Sequence, residues 1–130
     1  KDIQIKNVKR KYLTNFLLSF IMARWIIMIL DKFVEIANLF EIYSSLLSEK
    51  QKEYLEDHFE NDLSLSEIAK NNNVSRQAIY DNIKRGIALL YDYEDKLKFY
   101  QIKKNIREEL MNLKENYTKE KLEKIIENLL

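Results

Sequence analysis

The chain has 130 residues, 46% of them hydrophobic, enough for one domain with a buried core. It contains one histidine, one glycine, no cysteine and no proline, which excludes disulfides, thiol catalysis, cysteine-based zinc sites and a Gly-rich phosphate loop. The net charge of +1 divides unevenly: residues 1–30 carry six basic groups and one acid, and the remaining hundred carry 16 basic and 20 acidic groups.

The scarcity of turn residues disfavours sheets with tight hairpins and, with the helical periodicity below, predicts an all-α fold. Acidic residues are scattered among Lys and Arg as on a solvated surface, so no enzyme, metal site, cofactor or small-molecule substrate is expected. The expected compartment is cytoplasmic.

Residues 1–27 differ from everything after them. Lys9-Arg10-Lys11 leads into Phe16–Leu30, an almost unbroken apolar run of 15 residues with Arg24 inside it. Spanning a bilayer takes about 20 apolar residues, and a central arginine costs about 2.5–3.5 kcal/mol on insertion. No small-residue cleavage site follows, so a secretory signal peptide is not expected. The chain opens on Lys1, and Met28 stands just ahead of the first regular helical pattern. The expected organisation is a non-native or upstream segment over 1–27 with a natural start at Met28 or Met22, a helical domain over 28–115 and a C-terminal helix over 116–130. A native helix packed on the domain and a membrane-associated segment are the alternatives.

Over residues 31–47, Phe33, Ile36, Ala37, Phe40, Tyr43 and Leu47 recur at three and four and predict a helix with one apolar stripe. Ser48 with Gln51 has capping-box spacing and opens a second helix, with Leu55 and Phe59 as core positions and Tyr54 and His58 flanking them. It should end near Glu60-Asn61-Asp62. His58 reads as a histidine at a helix edge.

Residues 63–90 are the most informative stretch. Ser64 and Glu67 form a second capping box, and Leu65, Ile68 and Ala69 give the short helix an apolar side. Asn71-Asn72-Asn73 breaks it, because asparagine tolerates the left-handed conformation and competes for backbone bonds. Val74 is expected as an apolar plug and Ser75 as the N-cap of the next helix, whose Ile79, Ile83, Ile87 and Leu90 share one face. Helix, tight turn and capped helix make a helix-turn-helix unit. Gly86 falls on the core side, where a mid-helix glycine costs about 1 kcal/mol relative to alanine. Close approach of another helix backbone or a flexible joint would account for it.

After Leu90 the pattern continues as helix with no stop until Glu115-Asn116, carrying Leu97, Tyr100, Ile102, Ile106, Leu110 and Leu113. A last short helix holds Leu122, Ile125, Ile126, Leu129 and Leu130. Such a long pattern predicts a helical hairpin or a dimerisation arm, and a homodimer is expected.

The exposed side of the second helix supplies the candidate binding residues: Ser75, Arg76, Gln77, Tyr80, Asp81, Lys84 and Arg85. In a DNA-reading unit the N-terminal part of this helix enters the major groove. There Arg76 would meet phosphate, Gln77 would read adenine and Lys84 would contact the backbone. Asp81 points the same way and repels phosphate, although an acid can accept from cytosine. The alternative is a face kept polar only for solubility.

LFEIYSSLLSEKQKEYLEDHF, LSLSEIAKNNNVSRQAIYDNIKR and LLYDYEDKL resemble the YlxM/p13-like family of small bacterial helix-turn-helix proteins. The central part is similar, more broadly, to region four of bacterial sigma factors. The resemblance runs from about Leu39 to Leu97, most specifically in VSRQAIYDNIKR, and more loosely to about Lys114. It implies an all-helical, sigma-region-four-like domain without enzymatic activity. It further implies a role in the signal recognition particle pathway, through binding the particle's GTPase and/or its RNA. DNA binding as a transcriptional regulator is the alternative it implies. The DNA-facing residues of region four carry over only loosely to Arg76, Gln77 and Lys84, since Tyr80-Asp81-Asn82 departs from the sigma pattern. Gly86 departs from the larger residue usual in the family.

Overall fold

A computed structural model describes residues 2–129, with side chains from Arg10 onward. Among the described residues the chain is all-α. Six helices follow in order: α1 (Asp2–Tyr43), α2 (Glu49–Phe59), α3 (Leu65–Asn71), α4 (Arg76–Leu97), α5 (Phe99–Glu115) and α6 (Lys119–Leu129), with a short 3-10 turn (Ser44–Leu46) after α1. The helix expected over 31–47 is the end of the longer α1, and its α-helical part stops at Tyr43.

The chain divides into two compact units, residues 1–36 and 37–130. The first is helix only. Its large apolar side chains from Tyr12 to Val34, Phe16, Phe20, Trp25 and Ile27 among them, are all at least 45% exposed, so apolar residues lie all round rather than along one stripe. Arg10–Leu46 is the one described stretch long and apolar enough to cross a membrane, by length and composition alone.

The second unit holds the core. Leu39, Phe40, Tyr43 and Leu47 from the end of α1 and the turn after it pack with Tyr54 and Leu55 of α2, Ile68 and Ala69 of α3, and Ile79, Ile83 and Leu90 of α4. The stripe on α1 is thus shifted from the expected one: Leu39 is buried, whereas Phe33 and Ala37 are exposed. Tyr54 is a core residue rather than a flanking one, and Phe59 is only half-buried.

Both capping boxes form. Ser48 and Ser64 each accept the backbone N–H three residues on, and Gln51 and Glu67 reach back to accept the cap N–H. Ser64→Ala removes one half of the second box, which starts the first helix of the helix-turn-helix. We expect a loss of about 1 kcal/mol, read as a lower urea midpoint; an unchanged midpoint would mean the cap is not formed in solution.

The turn is built as its asparagines suggest. The Asn72 side chain donates to the Ile68 carbonyl at 3.0 Å, and Asn73 takes the left-handed conformation at φ 53°. Val74 departs from expectation: its N–H closes the turn on the Ala69 carbonyl at 3.1 Å, but its side chain is exposed and plugs nothing.

Two further expectations are corrected. The long helix after Leu90 is broken at Lys98, which adopts φ 57° and separates α4 from α5. Neither glycine nor proline marks the break. Its cause is side-chain bonding: Glu94, one turn before the end of α4, accepts from the Tyr100 and Gln101 N–H groups at the start of α5. Gly86 is no joint, since α4 runs through it unbroken. The approach it allows is by side chains of α2, because an added Cβ would lie 2.9 Å from Leu55 Cδ1 and 3.7 Å from Gln51 Cβ.

Candidate nucleic-acid or partner interface

Ser75 ends the turn in an extended conformation and caps α4 by accepting the Ala78 N–H at 3.1 Å. With Ile79, Ile83, Gly86 and Leu90 buried, the core face is settled and the remaining faces of the helix look outward. Ser75, Arg76, Gln77, Tyr80, Lys84 and Arg85 are exposed, and Asp81 is half-buried.

These residues do not form one surface. Arg76, Tyr80 and Lys84 follow at intervals of four and so form one ridge. Arg85 lies roughly half a turn round the helix from Arg76 at about 100° per residue. The Gln77 side-chain amide donates to Asp81 Oδ1 at 3.1 Å, so it is already engaged within the helix. Presenting both amide ends to an adenine would mean giving up that bond. Arg76, Lys84 and Arg85 take no part in the ion pairs of the described residues, which join Lys50–Glu53, Lys96–Asp92, Lys98–Asp95, Lys103–Glu41 and Lys119–Glu123.

Beside this ridge runs a mainly apolar groove of about 350 Å³, with Tyr80 and Lys84 on one wall and His58, Phe59 and Leu65 on the other. Sequence reasoning missed it, because periodicity assigns α2 and α4 each a face but not the gap between them. One signal was available in His58. Its Nδ1 lies 3.0 Å from the Leu63 carbonyl, so the ring donates there and is held against the start of the helix-turn-helix. The outer face of α2 is acidic, with Glu49, Glu53, Glu56 and Asp57 round a shallow depression that holds one base, Lys52. Among the described residues no cluster of three or more His, Cys, Asp or Glu is placed to hold a metal ion.

Comparison with known proteins agrees with this architecture. The family model of UPF0122, described as helix-turn-helix protein, YlxM / p13 like, matches residues 30–129. The chain is 90% identical over 103 residues to UPF0122 protein FN1394 of Fusobacterium nucleatum subsp. nucleatum, covering 79% of this chain and all of that protein. It is 44% identical over 104 residues to UPF0122 protein BH2485 of Halalkalibacterium halodurans, covering 77% and 95% of the two chains. With UPF0122 protein SSU98_0878 of Streptococcus suis it shares 45% identity over 102 residues, covering 70% and 90%. The matched region contains both capping boxes, the asparagine turn and the capped second helix, and on these grounds the chain belongs to the UPF0122 family of YlxM/p13-like helix-turn-helix proteins.

Proposed function

We propose that this protein is a non-enzymatic accessory or regulatory factor of the bacterial signal recognition particle pathway. It works in the cytoplasm and binds the particle's GTPase and/or its RNA through the exposed ridge of α4. The family resemblance supports the pathway. The observation that carries the mode of binding is the Gln77–Asp81 bond on the outward face. A helix meant to read a duplex presents free donors there, whereas this face carries an acid that holds its best base-reading amide. The rest of the surface agrees: residues 31–130 carry four more acids than bases, where a duplex-binding domain shows a basic footprint.

Titration of the full chain against purified particle GTPase, with and without its RNA, tests this. Saturable binding or a changed GTPase rate is the expected result, with Arg76→Ala and Lys84→Ala each weakening binding by about tenfold through lost charged contacts. No binding and no effect on the rate would reject the reading.

The second reading, DNA binding through Ser75–Leu90, is favoured by one observation: Arg76, Lys84 and Arg85 are exposed and outside every ion pair just described. It requires affinity that falls steeply with salt, with a logarithmic slope of about −0.9 per phosphate contact. A gel-shift series against promoter DNA without salt-sensitive binding would remove it.

A further inference from the structure

We propose that the exposed apolar face of α5 docks a second copy of this chain, antiparallel and two-fold symmetric, with Ile106 on the axis. α5 runs for 17 residues, yet none of them is buried. Phe99, Ile102 and Leu110 are about half exposed, and on α6 Ile126 and Leu129 continue the same apolar character into solvent. α6 itself is no sufficient cover: Ile125 is buried, and Leu122 of α6 and Ile106 and Leu113 of α5 are half-buried, but Phe99, Ile102, Leu110, Ile126 and Leu129 stay exposed.

Two features select a second copy as the occupant. The first is spacing. Phe99, Ile102, Ile106, Leu110 and Leu113 stand at intervals of three, four, four and three, so the stripe reads the same in both directions about Ile106. A two-fold contact needs a self-complementary patch. Antiparallel pairing about Ile106 sets Ile106 against its own copy, Ile102 against Leu110 and Phe99 against Leu113.

The second is charge. From Lys98 to Arg107 the helix carries Lys98, Lys103, Lys104 and Arg107 and no acid, whereas Glu108, Glu109 and Glu115 outweigh Lys114 in the remainder. This order opposes the macrodipole of α5, which favours acids at the N-terminus and bases at the C-terminus. Helix stability therefore does not account for it. Lys98 and Lys103 are paired within the chain, with Asp95 and Glu41, but Lys104 and Arg107 are in none of the ion pairs of the described residues, and an antiparallel copy sets Lys104 against Glu108 and the basic half of each helix along the acidic half of the other.

The absence of native cysteine makes the test direct. In the full chain, Ile106→Cys supplies the sole thiol and should form a covalent dimer on mild oxidation. Phe99→Cys alone should not, since two copies of residue 99 would lie about 21 Å apart, fourteen residues at about 1.5 Å each. Mixing Phe99→Cys with Leu113→Cys should restore cross-linking. The double variant Ile102→Glu/Leu110→Glu, at positions exposed in the monomer, should sediment as a monomer with unchanged helix content. Four results would overturn the proposal: a parent chain that is monomeric throughout a concentration series, a dimer that Ile106→Cys fails to link, a double variant that remains dimeric, or self-linking of Phe99→Cys. A dimer held through the apolar helix of residues 10–36 would appear as the second of these. The partner experiments above read α4, so failure there leaves this result standing.

Discussion

Gly86→Val should destabilise the protein by about 3 kcal/mol or more, while Gly86→Ala should change stability by less than about 1 kcal/mol. The contrast follows from what faces the glycine. A single added methyl would meet Leu55 Cδ1 at 2.9 Å, a contact that requires the leucine to shift. Leu55 is fully buried, so its movement is resisted by the packed core, and a forced shift of this kind costs about 1–3 kcal/mol. Against that, alanine recovers about 1 kcal/mol of helix propensity. Because alanine presses on only one terminal methyl of Leu55, its cost lies at the low end of that range and the two nearly offset each other.

Valine adds two more methyl groups to a helix interior that already disfavours β-branched side chains, and Gln51 Cβ on the next turn of α2 narrows the only other direction. A loss of this size is a large part of the roughly 5–15 kcal/mol that holds a domain folded. Urea unfolding followed by circular dichroism would measure it. Leu55→Ala alone should cost about 2–5 kcal/mol, yet in the Gly86→Val background it should cost far less, because the cavity accepts the new side chain. Equal stability of the valine variant and the parent would show that α2 does not press on α4 at this point.

Gly86 also shows how far the sequence could be read. Its position on the core side and the need for a close approach followed from helical periodicity, since Ile79, Ile83 and Leu90 define the face. What approaches it did not follow, because periodicity places a residue on its own helix and says nothing about the neighbour. The same limit explains the groove between His58, Phe59, Leu65 and the Tyr80–Lys84 ridge, which exists only once three helices are set together. Local chemistry was the most legible level. Ser48, Ser64, Ser75 and Asn73 act within three or four residues of themselves, and each does what its type suggests. Lys98 was illegible for a different reason: no turn residue announces the break, which is held by Glu94 on the Tyr100 and Gln101 N–H groups and by Tyr43, 55 residues before Lys98 in the sequence. On the candidate interface, the mixed charge of the side chains is plain in the sequence, but only the three-dimensional structure shows that Gln77 and Asp81 satisfy each other.

Glu94→Gln should cost about 2 kcal/mol at neutral pH and loosen the joint between α4 and α5. The Glu94 carboxylate accepts three hydrogen bonds: the Tyr43 hydroxyl donates to it at 2.6 Å, and the Tyr100 and Gln101 N–H groups donate at 3.0 and 3.1 Å. The last two are among the N–H groups that a helix start leaves without partners, so Glu94 acts as the N-cap that Lys98 does not provide. The Tyr43 hydroxyl accepts a third of them, from Phe99, at 3.1 Å. An amide in place of the carboxylate retains one acceptor oxygen but turns its NH2 towards donors, and bonds to a charged acceptor are each worth about 1.5–3 kcal/mol before partial exposure reduces them. Tyr43→Phe should cost about 1–2 kcal/mol, and the double variant should lose about 1 kcal/mol less than the sum, since both changes break the same bond.

The pH dependence has a definite sign at each end. Burial pushes the Glu94 carboxyl up, but the bonds from Tyr43, Tyr100 and Gln101 and the nearby Lys98 outweigh it and hold the group below its ordinary 4.5. Its contribution is therefore complete above about pH 4.5 and is lost as the pH falls through the lowered value. Burial, then the bond to Glu94, raises the Tyr43 phenol above 10.0, so its contribution is complete below pH 10.0 and falls as the pH rises beyond that. The stability difference between parent and Glu94→Gln should consequently be flat through neutrality and shrink on acidification below the ordinary carboxylate range. A difference that persisted undiminished in acid would assign the loss to packing and not to the charge. Because Glu94 and Tyr43 fix where α5 starts and the direction it takes, losing them frees the helix that carries Phe99 to Leu113. A dimer that forms through that stripe must then order the joint as well as make the contact, so Glu94→Gln should weaken Ile106→Cys cross-linking without touching any residue of the contact itself.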